Sequence, residues 1–450
     1  MHYNKITRGL LIAAALSSTS LAVHAASTEF QMGGYVKSGI LVNQDGKKSD
    51  RFRMSGNFGT FRLGNEQDSK IELNPTMNMK SDNGAVVRVK STFSAEGGCT
   101  SDWNCVDNDG HEVQFRQGYI EMQNLDFAPN QVFWAGKRND QWNSGSHMYD
   151  WDSFASIAGT GGGVEKINLG FARMDVNLYA FDSANNGGKG TQPNNDGYGF
   201  QESYNLNTWL KQIGGTGLDV NLLLANDSNN KDEVADPNGA TNGYVVGAIY
   251  NFADFFGVSA GCCSWVGAQY GKGILAGDRF GRNGWGYANL DDTTSWRLSA
   301  SGVAQLGKVD FQTVIAYQRD ENYRGWSQDQ SGWNRDFFIA GIRPMHQITT
   351  NFAMQYEVGY EYMNDENKAG SETKGGLTKL TVAPTLTFET GYWTRPQIRL
   401  FATYASWSEG LMGANKTSYL SQSAAFQEKN DPTQFVTDGM NFGIQGEVWF

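Results

Sequence analysis

No stretch of this 450-residue chain approaches the ~20 consecutive apolar residues of a membrane-spanning helix. A helical membrane protein is excluded. Helical periodicity is scarce, only 39% of residues are hydrophobic and the mean hydropathy is -0.49. A soluble chain of this length would show apolar cores split over roughly two or three domains. Basic stripes are missing too: 36 Lys and Arg stand against 47 Asp and Glu, a net charge of -11. That balance argues against nucleic acid as a partner and fits an acidic pore mouth or acidic loops. Histidine is rare. Of the 5 present, His2 and His24 fall in the amino-terminal segment, and His111, His147 and His346 have no ligand spacing. No nucleophile elbow, phosphate loop or zinc motif occurs, so neither an enzyme nor a metal centre is expected.

What the chain has is alternation. In 440–450 the even positions read Met, Phe, Ile, Gly, Val, Phe and the odd ones Asn, Gly, Gln, Glu, Trp. A strand sends successive side chains to opposite faces, so one face suits hydrocarbon and the other water. The same parity sets Phe30, Met32, Val36 and Ile40 against Gln31, Tyr35 and Lys37, and Tyr356, Val358 and Tyr360 against Gln355, Glu357 and Glu361. A soluble sandwich shares this period but rarely sustains it through so long a chain. Connections alternate as well. Short ones fall at Ala128-Pro129-Asn130, 214–217, Gly307-Lys308 and Thr349-Thr350; long ones fall at 43–60, 182–201, 227–242, 271–293, 319–335 and 408–437. Alternating strands with a wet inner face also explain the polar composition. The expected fold is all-β: a transmembrane antiparallel β-barrel with short periplasmic turns and long extracellular loops.

Lys5 and Arg8, an apolar run over 10–23 and the Val23-His24-Ala25 site predict a signal peptide over 1–25, leaving 26–450 as one barrel domain. At ~10 residues per strand plus loops, that length accommodates about 16 to 18 strands, enough to leave an aqueous channel. Permeation is the expected function.

Parity places Tyr35, Trp393 and Trp449 on wet faces, where an aromatic ring could stack on a sugar ring, although interfacial girdle positions share the composition. Tyr392 and Phe450, on apolar faces, are expected in the girdle. Arg62, Glu72, Arg116, Arg395 and Arg399 are candidates for hydroxyl partners, or for a wall charge network that sets ion selectivity. Cys99 and Cys105 flank a short polar segment and are placed either for a loop disulfide or as free thiols. Cys262 and Cys263 are adjacent, so a strand would point them to opposite faces. Asp107-Asn108-Asp109-Gly110 faintly resembles a calcium loop in a surface loop but lacks the full spacing.

Several runs resemble the maltoporin family in order and spacing. They include Gly34-Tyr35-Val36-Lys37-Ser38-Gly39-Ile40, Phe61-Arg62-Leu63-Gly64-Asn65-Glu66, Phe133-Trp134-Ala135-Gly136-Lys137-Arg138, Gly159-Thr160-Gly161-Gly162-Gly163-Val164-Glu165, Gly341-Ile342-Arg343-Pro344-Met345 and Trp393 through Trp407. The resemblance spans essentially the whole mature chain. It implies an eighteen-stranded homotrimeric barrel in the Gram-negative outer membrane that passes maltose and maltodextrins by facilitated diffusion. It also implies an aromatic track of Tyr35, Trp393 and Trp449, with Trp103 reaching in from a neighbouring subunit's loop. Arg62, Glu72 and Arg116 match polar partners of the sugar, and Lys37 stands where arginine is usual. The chain departs from the family at Lys70, which replaces a track aromatic, near Val258, where another aromatic is expected, and over 139–155. That segment lacks the family's constriction tyrosine, leaving Trp142, Tyr149 or Trp151 to narrow the pore. The departures keep open a porin for another oligosaccharide, sucrose or a β-glucoside, or a general diffusion porin.

Overall fold

In the computed structural model the chain forms one antiparallel sheet of eighteen strands closed on itself. The structure describes residues 27–47, 49, 51–54, 61–66, 69–97, 113–140, 145–149, 154–181, 203–227, 240–277, 280, 291–324, 331–367, 369–411 and 437–450. The first nine strands are β1 (Ser27–Asn43), β2 (Ser69–Lys80), β3 (Val86–Gly97), β4 (Gln114–Leu125), β5 (Ala128–Asp140), β6 (Ile157–Asn168), β7 (Arg173–Phe181), β8 (Ser203–Lys211) and β9 (Leu218–Asp227). Then follow β10 (Asn242–Phe252), β11 (Gly261–Gly273), β12 (Thr294–Leu306), β13 (Val309–Arg324), β14 (Ser331–Thr349), β15 (Phe352–Glu366), β16 (Glu372–Thr387), β17 (Gln397–Trp407) and β18 (Asp438–Trp449). Each strand pairs with the next, and β1 pairs with both β2 and β18, so closure removes the edge strands.

Alternation decides which way the sheet faces. Leu222, Leu224, Ile315, Val358, Leu400 and Ile444 are exposed on the outside, while Asn221, Gln355, Glu357, Arg399 and Gln445, of opposite parity, are buried inside. Aromatic pairs such as Tyr244 with Tyr270 and Trp296 with Tyr317 (centroids 6.1 and 5.0 Å apart) sit on the outer face, as a lipid girdle requires. No described helix is long and apolar enough to cross a membrane.

Three local expectations change. The short turn expected at Ala128-Pro129-Asn130 lies at Asp126-Phe127, because Leu125 already pairs with Ala128. Pro129 is therefore the second residue of β5, at the turn-proximal end where its missing donor is tolerated. The connection expected over 319–335 shortens to 325–330, since β13 and β14 continue to pair above the apolar band. There Arg319 bridges Glu321 and Asp336 at 2.8 and 3.2 Å on the outer face. At Cys262 and Cys263 a bulge between Cys262 and Trp265 and a left-handed Cys263 (φ 59°) break the strand parity, so the two side chains are not sent to opposite faces.

Two loops from the long-loop end fold into the barrel. Phe52, Met54 and Phe61 from the β1–β2 loop, and Met148, Tyr149 and Phe154 from the β5–β6 loop, share a core with the wall residues Trp209, Trp265, Phe337 and Trp407. Phe61 lies on a flat made by Gly341 and Gly359, register partners across β14 and β15. A Cβ at either would come within 2.1 or 2.5 Å of the ring. Backbone entering a barrel needs partners, and polar wall side chains supply them. Thr381 and Thr403 donate to the Leu63 and Gly64 carbonyls at 3.1 and 2.8 Å. Glu361 accepts from Met54 N–H at 3.2 Å and Gln269 from Ala155 N–H at 3.1 Å.

This filling is one-sided. Inner-face positions of β17 are nearly all fully buried, whereas those of β2 are half-buried. The open cross-section therefore runs along β1 to β4. At the turn end it widens into a cavity of about 500 Å³ lined by Glu29, Gln31, Asn78, Lys80, Arg88 and Lys90 among others.

Candidate functional site

At the turn end the connection between β16 and β17, residues 388–396, carries two aromatic residues into the barrel. Tyr392, expected in the girdle, is only 4% exposed. It stacks on His147 (centroids 5.7 Å apart, 26° between planes) and its hydroxyl donates to Gln312 Oε1 at 3.3 Å. The expectation failed because strand parity does not apply to a connection. Burial pushes the Tyr392 phenol up to about 12. Trp393 meets His147 edge-on at 4.8 Å, and its buried Nε1–H has no acceptor among the described residues.

Trp449 lies directly opposite Tyr35 across β1 and β18. Trp449 is 37% exposed, and the Arg395 guanidinium sits 4.0 Å from its ring centroid. Tyr35 donates to Glu447 Oε1 at 2.9 Å. The second oxygen of Glu447 receives Arg395 Nε at 2.8 Å and Arg399 Nη2 at 2.5 Å. Arg399 also donates to Gln397 and Gln445 at 3.0 and 2.9 Å. Burial, opposed by Glu447, brings Arg395 down to about 10, so it stays charged at neutral pH. Tyr35, Trp393 and Trp449 thus come together beside a shelf of charge-assisted donors and acceptors.

The remaining polar candidates follow β1 and β2 away from this cluster. Lys37 reaches Glu66 at 2.7 Å and Arg62 reaches the same carboxylate at 3.1 Å. Burial pushes the Glu66 carboxyl up, but Arg62 and Lys37 outweigh it and hold it below the usual range. Lys70 stands opposite Lys37 across β1 and β2, 3.6 Å from Glu72. Arg116 is two strands further round, half-buried, at the bulge where β4 changes parity. Tyr149 does not line the open lumen. It is 2% exposed, edge-on to Trp265 at 5.3 Å and 3.3 Å from Arg297 Nη1, so it thickens the wall. Val258 is 81% exposed in the connection between β10 and β11. Trp103, Trp142, Trp151, Cys99, Cys105 and the 107–110 segment lie outside the described residues.

The residue to which sequence reasoning gave no role is His147. Its N–H donates to Gln312 Oε1, and Gln312 Nε2 donates back to the Gly145 carbonyl, both at 2.8 Å. The ring is packed by Tyr392, Trp393 and Trp449 (6.0 Å) and touches Arg343 at 3.2 Å. Burial and the Arg395 and Arg343 cations hold its pKa well below the usual imidazole range. Between that depressed value and ~6.5, the undocked imidazole binds a proton and the docked one does not. The stabilisation is complete above this window and is lost as pH falls through it, at up to about 1.4 kcal/mol per pH unit. Urea midpoints at pH 7.5 and 5 should therefore diverge in the unaltered chain and converge in His147→Gln; equal pH dependence in both would remove His147 as the source.

A second missed patch lies on β3 to β5, where Arg138 covers Trp134 at 4.7 Å and Tyr119 at 5.6 Å. Its signal was there: Tyr119 and Glu121, like Trp134 and Arg138, alternate with outward apolar residues.

The LamB porin family model matches residues 30–450. Among solved structures, the chain is similar to OccAB1 of Acinetobacter baumannii at 9% identity, covering 95% of this chain and 98% of that one, with a TM-score of 0.48. It is also similar to OmpT of Vibrio cholerae at 11% identity, covering 96% and 99% of the two chains, with a TM-score of 0.39.

Proposed function

Since this chain belongs to the LamB porin family, the maltoporins, and is an outer-membrane channel, we propose that it passes maltose and maltodextrins by facilitated diffusion along a lumen aromatic track. The observation that carries this is the partly exposed Trp449, with Tyr35 opposite and Arg395 over its ring. A glucose ring offers an apolar face for such a surface and hydroxyls for neighbouring charged groups. Glu447, Arg395, Arg399 and Glu72 are the partners within the path, with Lys37 and Arg62 fixing it through Glu66. Each contact is worth little alone, so a sugar can enter and still leave. The functional unit is a homotrimer, with Trp103 of the partner subunit extending the track at the loop end.

One observation favours a second oligosaccharide class. Lys70 puts a charge beside Glu72 where the family resemblance implies a ring, which trades stacking for hydrogen bonding and suits sucrose or a β-glucoside. Ion current through the purified protein in a planar bilayer, titrated with maltohexaose, sucrose and cellobiose, separates the readings. Saturable block by maltohexaose is the expected result. Block by sucrose or cellobiose alone would assign the second class, and current unaffected by all three would make this a general diffusion pore.

A further inference from the structure

Cys262 and Cys263 are free thiols whose sulfurs lie 2.8 Å apart. Neighbours on a regular strand could not meet this way. The β11 bulge and the left-handed Cys263 backbone turn both side chains to one side. That side is the lumen. Cys262 packs against the inner cluster of Val303, Met345 and Tyr392 with Trp393. A Cβ built on Gly145, in the inward-folded β5–β6 loop, would stand 3.3 Å from the Cys263 Cβ. Cys263 is exposed and Cys262 half-buried, so one thiol is open to solutes and the other waits behind it.

We propose that Cys262 and Cys263 form a vicinal dithiol on the channel wall, which exchanges with disulfides to close a ring over the single peptide between them, beside the inward loop. The exposed Cys263 thiolate attacks one sulfur of the oxidant and releases the other half as a thiolate, giving a mixed disulfide. The Cys262 thiolate then attacks Cys263 Sγ, forms the Sγ–Sγ bond and expels the second thiol. The pair gives up two electrons and two protons, and the disulfide oxidant is reduced to two thiols. A bridge this short and exposed is of the exchangeable kind rather than a permanent staple. The same pair would chelate trivalent arsenic. Phenylarsine oxide forms two As–S bonds and releases its oxygen as water with the two thiol protons.

The test treats the folded, full-length protein with oxidised glutathione, traps remaining thiols with N-ethylmaleimide and measures mass. The tryptic peptide from Asp232 to Lys272 carries these two cysteines and no others. In the reduced protein it should take two maleimides. After oxidation it should take none, carry no glutathione and be lighter by two hydrogens. A retained glutathione, two maleimides or a cross-link to a second chain would each overturn the proposal. In a planar bilayer, phenylarsine oxide should lower the current stepwise, with recovery on 2,3-dimercaptopropanol but not on 2-mercaptoethanol. Cys263→Ser should conduct like the unaltered channel and lose this response. Unchanged current with both thiols occupied by arsenic would place the pair off the permeation path and refute the wall site.

Discussion

Replacing Glu447 with alanine should lower barrel stability by about 3 kcal/mol, read as a fall in the urea midpoint of unfolding. The carboxylate is shared by Arg395 and Arg399, whose side chains are 2% and 6% exposed, and it is itself 13% exposed. Removing it leaves two guanidiniums buried side by side without their counter-charge. Tyr35 also loses its acceptor. The expected loss sits at the low end of the ~3–5 kcal/mol range for a broken buried pair, because Arg399 keeps its bonds to Gln397 and Gln445. Glu447→Gln keeps one acceptor oxygen, which can serve either Tyr35 or the arginines but not both, so its midpoint should fall between the unaltered chain and the alanine variant. Both variants strip a negative charge from the lumen beside two positive ones, so the reversal potential in a salt gradient should move toward anions. An unchanged midpoint in Glu447→Ala would mean that water already solvates the arginines, and the shelf would then be a mobile charge ring.

Much of the barrel was legible because a closed sheet in a bilayer obeys one rule along its whole length. The β15 residues Tyr356, Val358 and Tyr360 face out and Gln355, Glu357 and Glu361 face in, as their order in the chain requires. The same rule put Tyr35 and Trp449 on wet faces, and the β1–β18 register sets them opposite one another. It failed where backbone leaves the ladder. Tyr392 lies in a connection, and Cys263 and Arg116 lie at bulges; parity carries no information at any of these positions. A second limit is physical rather than local. A polar inner-face residue reads the same whether it meets solute or loop backbone, yet Gln312, Gln269, Thr381 and Thr403 serve the folded-in loops. His147 and Tyr149 are near neighbours in the same loop; the first meets the aromatic cluster and the second fills the wall core. Nothing in their spacing separates those fates, which depend on what the wall offers opposite each ring.

Trp449→Ala should weaken maltohexaose block about tenfold, ~1.4 kcal/mol, the scale of one lost stacking surface. This ring makes few contacts: the Arg395 guanidinium lies over it at 4.0 Å and His147 meets it edge-on at 6.0 Å. Trp449 is 37% exposed, and Arg395, which lies over its ring, keeps its pairing to Glu447. The barrel should therefore retain its urea midpoint, and open-channel current without sugar should hold or rise slightly. Trp449→Phe, which preserves a smaller ring, should recover part of the affinity. Trp393→Ala makes the contrast: it too should weaken block, but His147 packs on that ring more closely, at 4.8 Å against 6.0 Å, and Tyr392 meets it at 5.1 Å, so stability should fall with affinity. If Trp449→Ala leaves the affinity for maltohexaose unchanged, sugars do not travel on this ring, and the charges along β1 and β2 become the binding surface.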